Sequence, residues 1–174
     1  PIFLWGSLPC TAGCGFQFIN AFTSKNDVAR MAFLTRQFEK LHHNFMELAA
    51  LIQNRGVKFE IAFEWPRRNT LWKKEKVIQM VSKFNLKSVN FDGCRFGIIS
   101  EKNKPMKKPW TVKTTSDDLV NAFKDKVCDK TFMNAPGNES HLHHDRICGS
   151  RTKNTGFYPE PMTDLIHKAA TNAF

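Results

Sequence analysis

The sequence has no apolar run of the roughly 18–20 residues that a membrane-spanning helix needs, so we expect no membrane partner. Residues 1–10 are apolar but lack the basic residues of a secretory signal peptide. No internal repeat is present. The five cysteines do not follow a small disulfide scaffold, which favours a reducing, intracellular compartment, nuclear or cytoplasmic. Because the chain opens directly on Ile2-Phe3-Leu4-Trp5, we expect it to be part of a longer one.

Acidic residues are also scarce, with 16 Asp and Glu against 26 Lys and Arg, which gives a formal net charge of +10. An excess of this size attracts polyanions, above all nucleic acid, although a merely basic soluble surface is the alternative. The 41% hydrophobic content, with 16 Phe and 4 Trp, is enough to fill a core in a chain of 174 residues. This composition excludes a disordered or low-complexity chain.

The hydrophobic periodicity predicts an α/β fold in which strands alternate with helices through right-handed crossovers. Strands are predicted over residues 2–7, 57–63, 88–91, 96–99 and 110–114, and the last of them closes an antiparallel hairpin around residues 102–109. Helices are predicted over residues 28–55, 71–84, 116–127 and 161–170. We expect an α/β domain over residues 1–127 and a Cys/His-rich segment with a terminal helix over residues 128–174.

Two reactive side chains follow predicted strands, Cys10 after the first and Glu64 after the second. Ligand sites in open α/β sheets lie beyond the carboxyl ends of the strands, so the two side chains are expected to share one pocket. A cysteine in an exposed turn can ionise and attack as a nucleophile, and a carboxylate against an aromatic wall can hold a proton for transfer. The alternatives are a small buried Cys10 and a Glu64 that is only a charge at a strand end.

The C-terminal segment holds cysteines and histidines at spacings that suit a metal ion. Two cysteines and a choice of histidines within 21 residues can supply a tetrahedral Cys₂His₂ zinc site, structural in role because four protein ligands leave no open position. The candidate ligands are Cys128, His141, His143, His144 and Cys148. The alternative is a solvated histidine-rich loop with two unrelated thiols. Cys14 and Cys94 are interpreted as packing residues, with metal or redox roles as the alternative.

Four short motifs, taken in order, carry a resemblance to a known family. They are Pro9-Cys10-Thr11, Glu64-Trp65-Pro66, Asp92-Gly93-Cys94-Arg95-Phe96-Gly97 and Lys107-Lys108-Pro109-Trp110-Thr111. This order resembles the cytosine-5 DNA methyltransferases, in particular divergent phage-like members and related domains of retroelement polyproteins. The resemblance implies a Rossmann-like, methyltransferase-type sheet, DNA as partner and S-adenosylmethionine as cofactor.

The resemblance also implies roles for single residues. Cys10 would attack C6 of a flipped cytosine, and Glu64 would bind the edge of the base at N3, which requires extrusion of the base from the duplex. The basic residues expected to contact nucleic acid are Arg67, Arg68, Arg95, Lys107 and Lys108.

The family's aromatic-Gly-x-Gly loop, which binds S-adenosylmethionine, has no counterpart in the sequence. The predicted sheet is therefore partial, and we expect a further N-terminal segment or a partner chain to complete it. The alternative is a catalytically inactive nucleic-acid-binding or assembly module of a retroelement or viral polyprotein. A cysteine hydrolase based on Cys10 is a third interpretation, for which no histidine stands at an obvious strand end.

Overall fold

The structure is a computed structural model that describes residues 1–15, 25–147 and 155–174. The chain forms two compact units: unit 1 comprises Pro1–Lys87 and Val112–Thr115, and unit 2 comprises Ser88–Thr111 and Ser116–Phe174. These units are interleaved in sequence, because a single strand contributes residues to both, whereas the predicted division lay after residue 127. None of the helices in the described ranges is both long and apolar enough to span a membrane.

Four strands form one mixed sheet in the order β1-β2-β4-β3, with helices between them. The strands are β1 (Ile2–Gly6), β2 (Phe59–Pro66), β3 (Lys87–Asp92) and β4 (Pro109–Thr114). The α-helices are α1 (Lys25–Asn54), α2 (Glu75–Lys83), α3 (Asp117–Phe123), α4 (Lys130–Met133) and α5 (Glu160–Asn172). Short 3₁₀ helices span Thr11–Gly13, Thr70–Lys73, Gly93–Phe96 and Glu139–Leu142. The mixed α/β class is as predicted, and the Rossmann-like identity stays a prediction.

Unit 1 is built around a parallel β-α-β arrangement. Strands β1 and β2 pair in parallel, with Ile2 opposite Phe59 and Gly6 opposite Phe63, and α1 lies between them in sequence. Residues 61–65 are all buried, as expected for a strand covered on both faces. Their core partners include Phe38 and Phe45 of α1.

Strand β2 extends further than the sequence predicts. The expected end at residue 63 is wrong, since the strand continues to Pro66 and places Glu64 within it. The reason is Trp65, which is 1% exposed and packs edge-on against Phe63 with ring centroids 4.6 Å apart. The predicted helix over residues 71–84 is likewise divided into the 3₁₀ helix Thr70–Lys73 and α2.

Unit 2 packs α3 and α5 together around Leu119, Phe123, Met162 and Ile166, all of them buried. Ser116 caps α3, because its hydroxyl oxygen accepts a hydrogen bond from the backbone N–H of Leu119 at 3.2 Å.

The strand predicted over residues 96–99 is wrong. Residues Gly93–Phe96 form a 3₁₀ helix, which ends at Gly97 with φ +86°, and Ile99 makes only one isolated bridge, to Pro105. The turn is favoured because it brings the Phe96 ring against Phe91 and Phe123, with ring centroids 5.7 and 5.8 Å away. It also directs Cys94 into the interior of unit 2, where it is 5% exposed.

Candidate metal centre

Three separate segments of unit 2 bring two cysteines and two histidines together. Cys94 lies in the 3₁₀ helix that follows β3, and Cys128 lies between α3 and α4. His141 belongs to the 3₁₀ helix Glu139–Leu142, and His144 follows it. One ligand atom from each of these four residues lies within 4.8 Å of the other three. We call this set the Cys/His cluster.

Three distances within the Cys/His cluster match those between ligand atoms of a tetrahedral site. Cys128 Sγ lies 3.5 Å from His141 Nδ1 and 3.5 Å from His144 Nε2. His144 Nε2 also lies 3.4 Å from Cys94 Sγ. Zinc bonds of about 2.3 Å to sulfur and 2.0–2.1 Å to nitrogen, at tetrahedral angles, place such atoms about 3.6 Å apart. The separations therefore leave room for one metal ion at the common centre.

Burial gives the cluster an inner and an outer side. Both cysteines are buried, with Cys128 fully so, whereas His141 and His144 are half-buried. Thiolate ligands shielded from water and imidazoles nearer the surface suit an ion that holds these three chain segments together.

A buried carboxylate fixes the position of Cys128. Asp92 is fully buried, and its Oδ2 accepts a hydrogen bond from the backbone N–H of Cys128 at 2.8 Å. Lys107 Nζ lies 3.6 Å from the same Oδ2 and donates to the carbonyl oxygen of Cys128. The three residues thus form a small network next to the thiol. Such outer contacts orient metal ligands and tune their affinity.

Arg95 and Phe132 support the other side of the cluster. The Arg95 guanidinium donates from Nη1 to the carbonyl oxygen of Val127 at 3.0 Å and lies 3.5 Å from the centre of the Phe132 ring. The same ring meets His141 edge to face, with centroids 5.0 Å apart. Arg95 therefore binds the backbone next to Cys128 directly and supports the ring of His141 through the Phe132 ring that lies between them.

Protonation in the cluster follows from burial. Burial raises the pKa of the Cys94 thiol, and the nearby Cys128 raises it further; burial also raises the pKa of Cys128. Burial lowers the pKa of His141 and of His144, with added effects from Arg95 on the first and His141 on the second. Both imidazoles are thus neutral at pH 7, whereas both thiols must lose a proton to bind a metal ion.

The predicted ligand set overlaps the cluster in three residues. Cys128, His141 and His144 lie in it, His143 is exposed and outside it, and Cys148 lies outside the described residues. The fourth member, Cys94, was interpreted from the sequence as a packing residue. Its signal was its place directly after a strand, in the segment Asp92-Gly93-Cys94.

The loop that carries Cys10 lies against β2 in unit 1. Glu64, 3% exposed, accepts a hydrogen bond from the Ser7 hydroxyl at 3.1 Å. Trp65 Nε1 donates to the carbonyl oxygen of Leu8, and the Asn69 amide donates to that of Cys10, both at 2.7 Å. The half-buried Cys10 packs against the unit 1 core. The catalytic roles of Cys10 and Glu64 stay predictions.

The five predicted nucleic-acid contacts have different surroundings. Arg95 and Lys107 hold the region of Cys128, as described above. Lys108 donates from Nζ to the carbonyl oxygen of Thr155 and lies 4.7 Å from the centre of the Trp110 ring. Arg67 is half-buried and Arg68 exposed, in the turn that follows β2. Arg68 is therefore the one exposed residue of these five.

The glycines in the described residues do not fit an S-adenosylmethionine loop. The sequence Gly13-Cys14-Gly15 follows β1, but a Cβ at Gly13 would lie 1.9 Å from Asn69 Oδ1. Gly13 therefore permits close packing between loops instead of opening a cradle for a ligand. The described residues therefore give no support for S-adenosylmethionine as cofactor.

A scan against protein-family models and searches of curated proteins and of solved structures found no match.

Proposed function

We propose that this protein is a zinc-binding module in which the Cys/His cluster of unit 2 holds one structural Zn²⁺. The observation that carries the proposal is the convergence of four ligand atoms within 4.8 Å of one another. Two sulfur and two imidazole ligands form a donor set that suits zinc. Magnesium and calcium favour oxygen ligands instead. Four protein ligands close the tetrahedron and leave no position for a substrate.

A structural ion is needed here because the ligands come from distant parts of unit 2. Cys94 and His144 are 50 residues apart, and within residues 124–147 the structure describes only one short α-helix and one 3₁₀ helix. An ion bound at the cluster joins the end of β3 to this segment. The free energy of metal binding then contributes directly to folding.

Cobalt substitution tests the donor set. Co²⁺ bound to two thiolates and two imidazoles in a tetrahedron gives intense visible bands and a sulfur-to-metal charge-transfer band, and Zn²⁺ displaces it. We expect these bands in the intact chain. In Cys94→Ser we expect the bands to be lost, or the affinity for Co²⁺ to be lower. Cys14→Ser, which alters a half-buried thiol outside the cluster, should leave them unchanged. Equal spectra for wild type and Cys94→Ser would rule out this ligand set.

Nucleic-acid binding is a second candidate function, favoured by the net charge of +10 and by the exposed Arg68 in the turn that follows β2. A zinc-stabilised basic module binds phosphates through lysine and arginine, with affinity that falls steeply with salt. Absence of DNA and RNA binding at low salt would argue against this function. Binding whose affinity does not change with salt concentration would also argue against it.

Methyl transfer by Cys10 and Glu64 rests on the sequence resemblance, with the Ser7–Glu64 hydrogen bond as the only local support. Covalent capture of DNA that contains 5-fluorocytosine, with S-adenosylmethionine supplied as the methyl donor, is the corresponding test, because the fluorine at C5 blocks release of the enzyme after methyl transfer. Capture should be abolished by Cys10→Ala and retained by Cys14→Ala.

A further inference from the structure

Helix α1 has an apolar surface beyond the one that packs on the unit 1 core. Phe38 and Phe45 are buried in that core. Four other large apolar side chains of the helix stay open to solvent at 53, 38, 45 and 51% exposure, namely Phe33, Leu41, Leu48 and Leu51. We call these four residues the apolar ridge.

The apolar ridge runs along one side of α1, and the exposed polar residues Gln37 and Asn44 lie at angles between its members. An α-helix turns by about 100° per residue, so Leu51 lies at nearly the same angle as Phe33, and Leu41 and Leu48 lie within about 80° of them. Over 18 residues the strip is about 27 Å long. Single exposed leucines are common on protein surfaces, but four large apolar side chains along one side of a helix form a face that the described part of the chain leaves open to solvent.

The charges beside the ridge point to a particular partner. Lys40 and Glu47 are exposed on the flank of the ridge away from Phe38 and Phe45, seven residues apart and opposite in charge. Their midpoint, near residue 43, is also close to the centre of the ridge. A two-fold axis through this point would bring Lys40 of one copy opposite Glu47 of the other, twice.

We infer that α1 is a dimerisation helix on which two copies of this chain pack their apolar ridges antiparallel. The apolar ridge supplies the buried surface, and the Lys40–Glu47 pairs select the antiparallel arrangement. The same patch serves both partners, as a two-fold interface requires. A spacing of seven between Leu41 and Leu48 suits helix-against-helix packing of this kind.

Sedimentation equilibrium of the zinc-loaded chain tests the dimer. We expect a dimer for wild type and a dissociation constant at least about tenfold higher for Leu48→Lys, since a charge in the centre of such an interface is poorly tolerated. Val28→Lys is the matched control, because Val28 is 56% exposed on the same helix but off the ridge. Circular dichroism of each variant checks that α1 is retained.

A monomeric wild-type chain at about 0.1 mM, or a dimer that Leu48→Lys leaves intact, would overturn the inference.

A charge swap tests the antiparallel arrangement of the two helices. Glu47→Lys alone should weaken the dimer about three- to tenfold, because it opposes lysines at two symmetric positions, and Lys40→Glu added to it should restore the wild-type constant. A double variant as weak as the single one would contradict the antiparallel pairing.

Discussion

The buried carboxylate of Asp92 accepts a hydrogen bond from the backbone N–H of Cys128 at 2.8 Å, across 36 residues of sequence. Asp92 itself ends β3, and Cys94 follows two residues later. The Asp92 side chain therefore links the backbone at Cys128 to the end of β3, two residues before Cys94. Preorganisation of this kind reduces the cost of bringing the ligands together when a metal ion binds.

Removal of Asp92 should weaken zinc binding without removing a ligand. In Asp92→Ala the Cys128 N–H and the Lys107 ammonium lose their common acceptor, so we expect about 10- to 100-fold lower zinc affinity. Competition with a chromophoric chelator measures the change. Asp118→Ala, at an exposed position in the first turn of α3, should bind zinc like wild type. Equal affinities for both variants would contradict the role of Asp92.

Zinc affinity should rise steeply with pH. Since burial raises the pKa of both thiols, each is protonated near pH 7 without metal, and zinc binding must release about two protons. Calorimetric titration in buffers of different ionisation enthalpy counts the protons released. A count near zero would show that the cysteines do not bind the ion as thiolates.

Acid should destabilise unit 1 through His42. Burial, then the charge of Lys76 and then that of His43, lower the pKa of His42 below its ordinary value of 6.5. The unfolded chain therefore binds the proton first, so stability is present above pH 6.5 and is lost as the pH falls towards the folded pKa.

Urea unfolding between pH 7.5 and 5 measures this effect. The free energy of unfolding should fall less with acid in His42→Leu than in wild type, whereas His43→Leu, which removes only the smallest of the three causes, should lie close to wild type. Identical slopes for His42→Leu and wild type would show that His42 does not contribute.

Gly93→Ala should destabilise unit 2. A Cβ at this position would lie 2.6 Å from Ile98 Cδ1 and 2.8 Å from Trp110 Cζ3, and Trp110 is 2% exposed. Overpacking of this kind costs about 1–3 kcal/mol, measurable by thermal or urea unfolding. Gly15→Ala is the matched control, since a Cβ there meets nothing within 4 Å. A Gly93→Ala protein as stable as Gly15→Ala would contradict the packing described.

Arg68 and Lys107 should separate nucleic-acid binding from metal binding. Arg68→Gln is expected to lower the affinity for DNA and the steepness of its salt dependence by about one phosphate contact, with zinc affinity unchanged. Lys107→Gln should weaken zinc binding instead, because it removes the ion pair with Asp92. Fluorescence anisotropy at several salt concentrations measures the first effect. If Lys107→Gln lowered the affinity for DNA and left the zinc affinity unchanged, the assignment of Lys107 to the metal site would be wrong.

The sequence predicts the β1-α1-β2 part of the fold because its signals are local. Leu34, Phe38, Leu41 and Phe45 repeat at helical spacing, and Gly56, with φ +66°, follows the helix. It mispredicts residues 96–99 because Phe96 is turned inward against Phe91 and against Phe123, a ring that is distant in sequence. The conformation of residues 96–99 is therefore determined by tertiary packing and not by the local sequence pattern.

The same reasoning explains what the sequence could reveal of the cluster. Cys128, His141 and His144 lie within 17 residues and form a recognisable metal pattern. Cys94 is 34 residues from Cys128 and joins them only because β3 ends beside that loop. His143 is next to His144 in sequence, yet the chain leaves its side chain exposed. Spacing alone could not choose between the adjacent histidines.

The metal content of the purified chain tests the central claim most directly. Elemental analysis of protein produced in zinc-supplemented medium and freed of loosely bound metal should find one zinc per chain in wild type. Cys94→Ser should retain much less, and Cys14→Ser one equivalent. Wild-type protein without zinc, or Cys94→Ser with a full equivalent, would contradict a structural zinc site at Cys94, Cys128, His141 and His144.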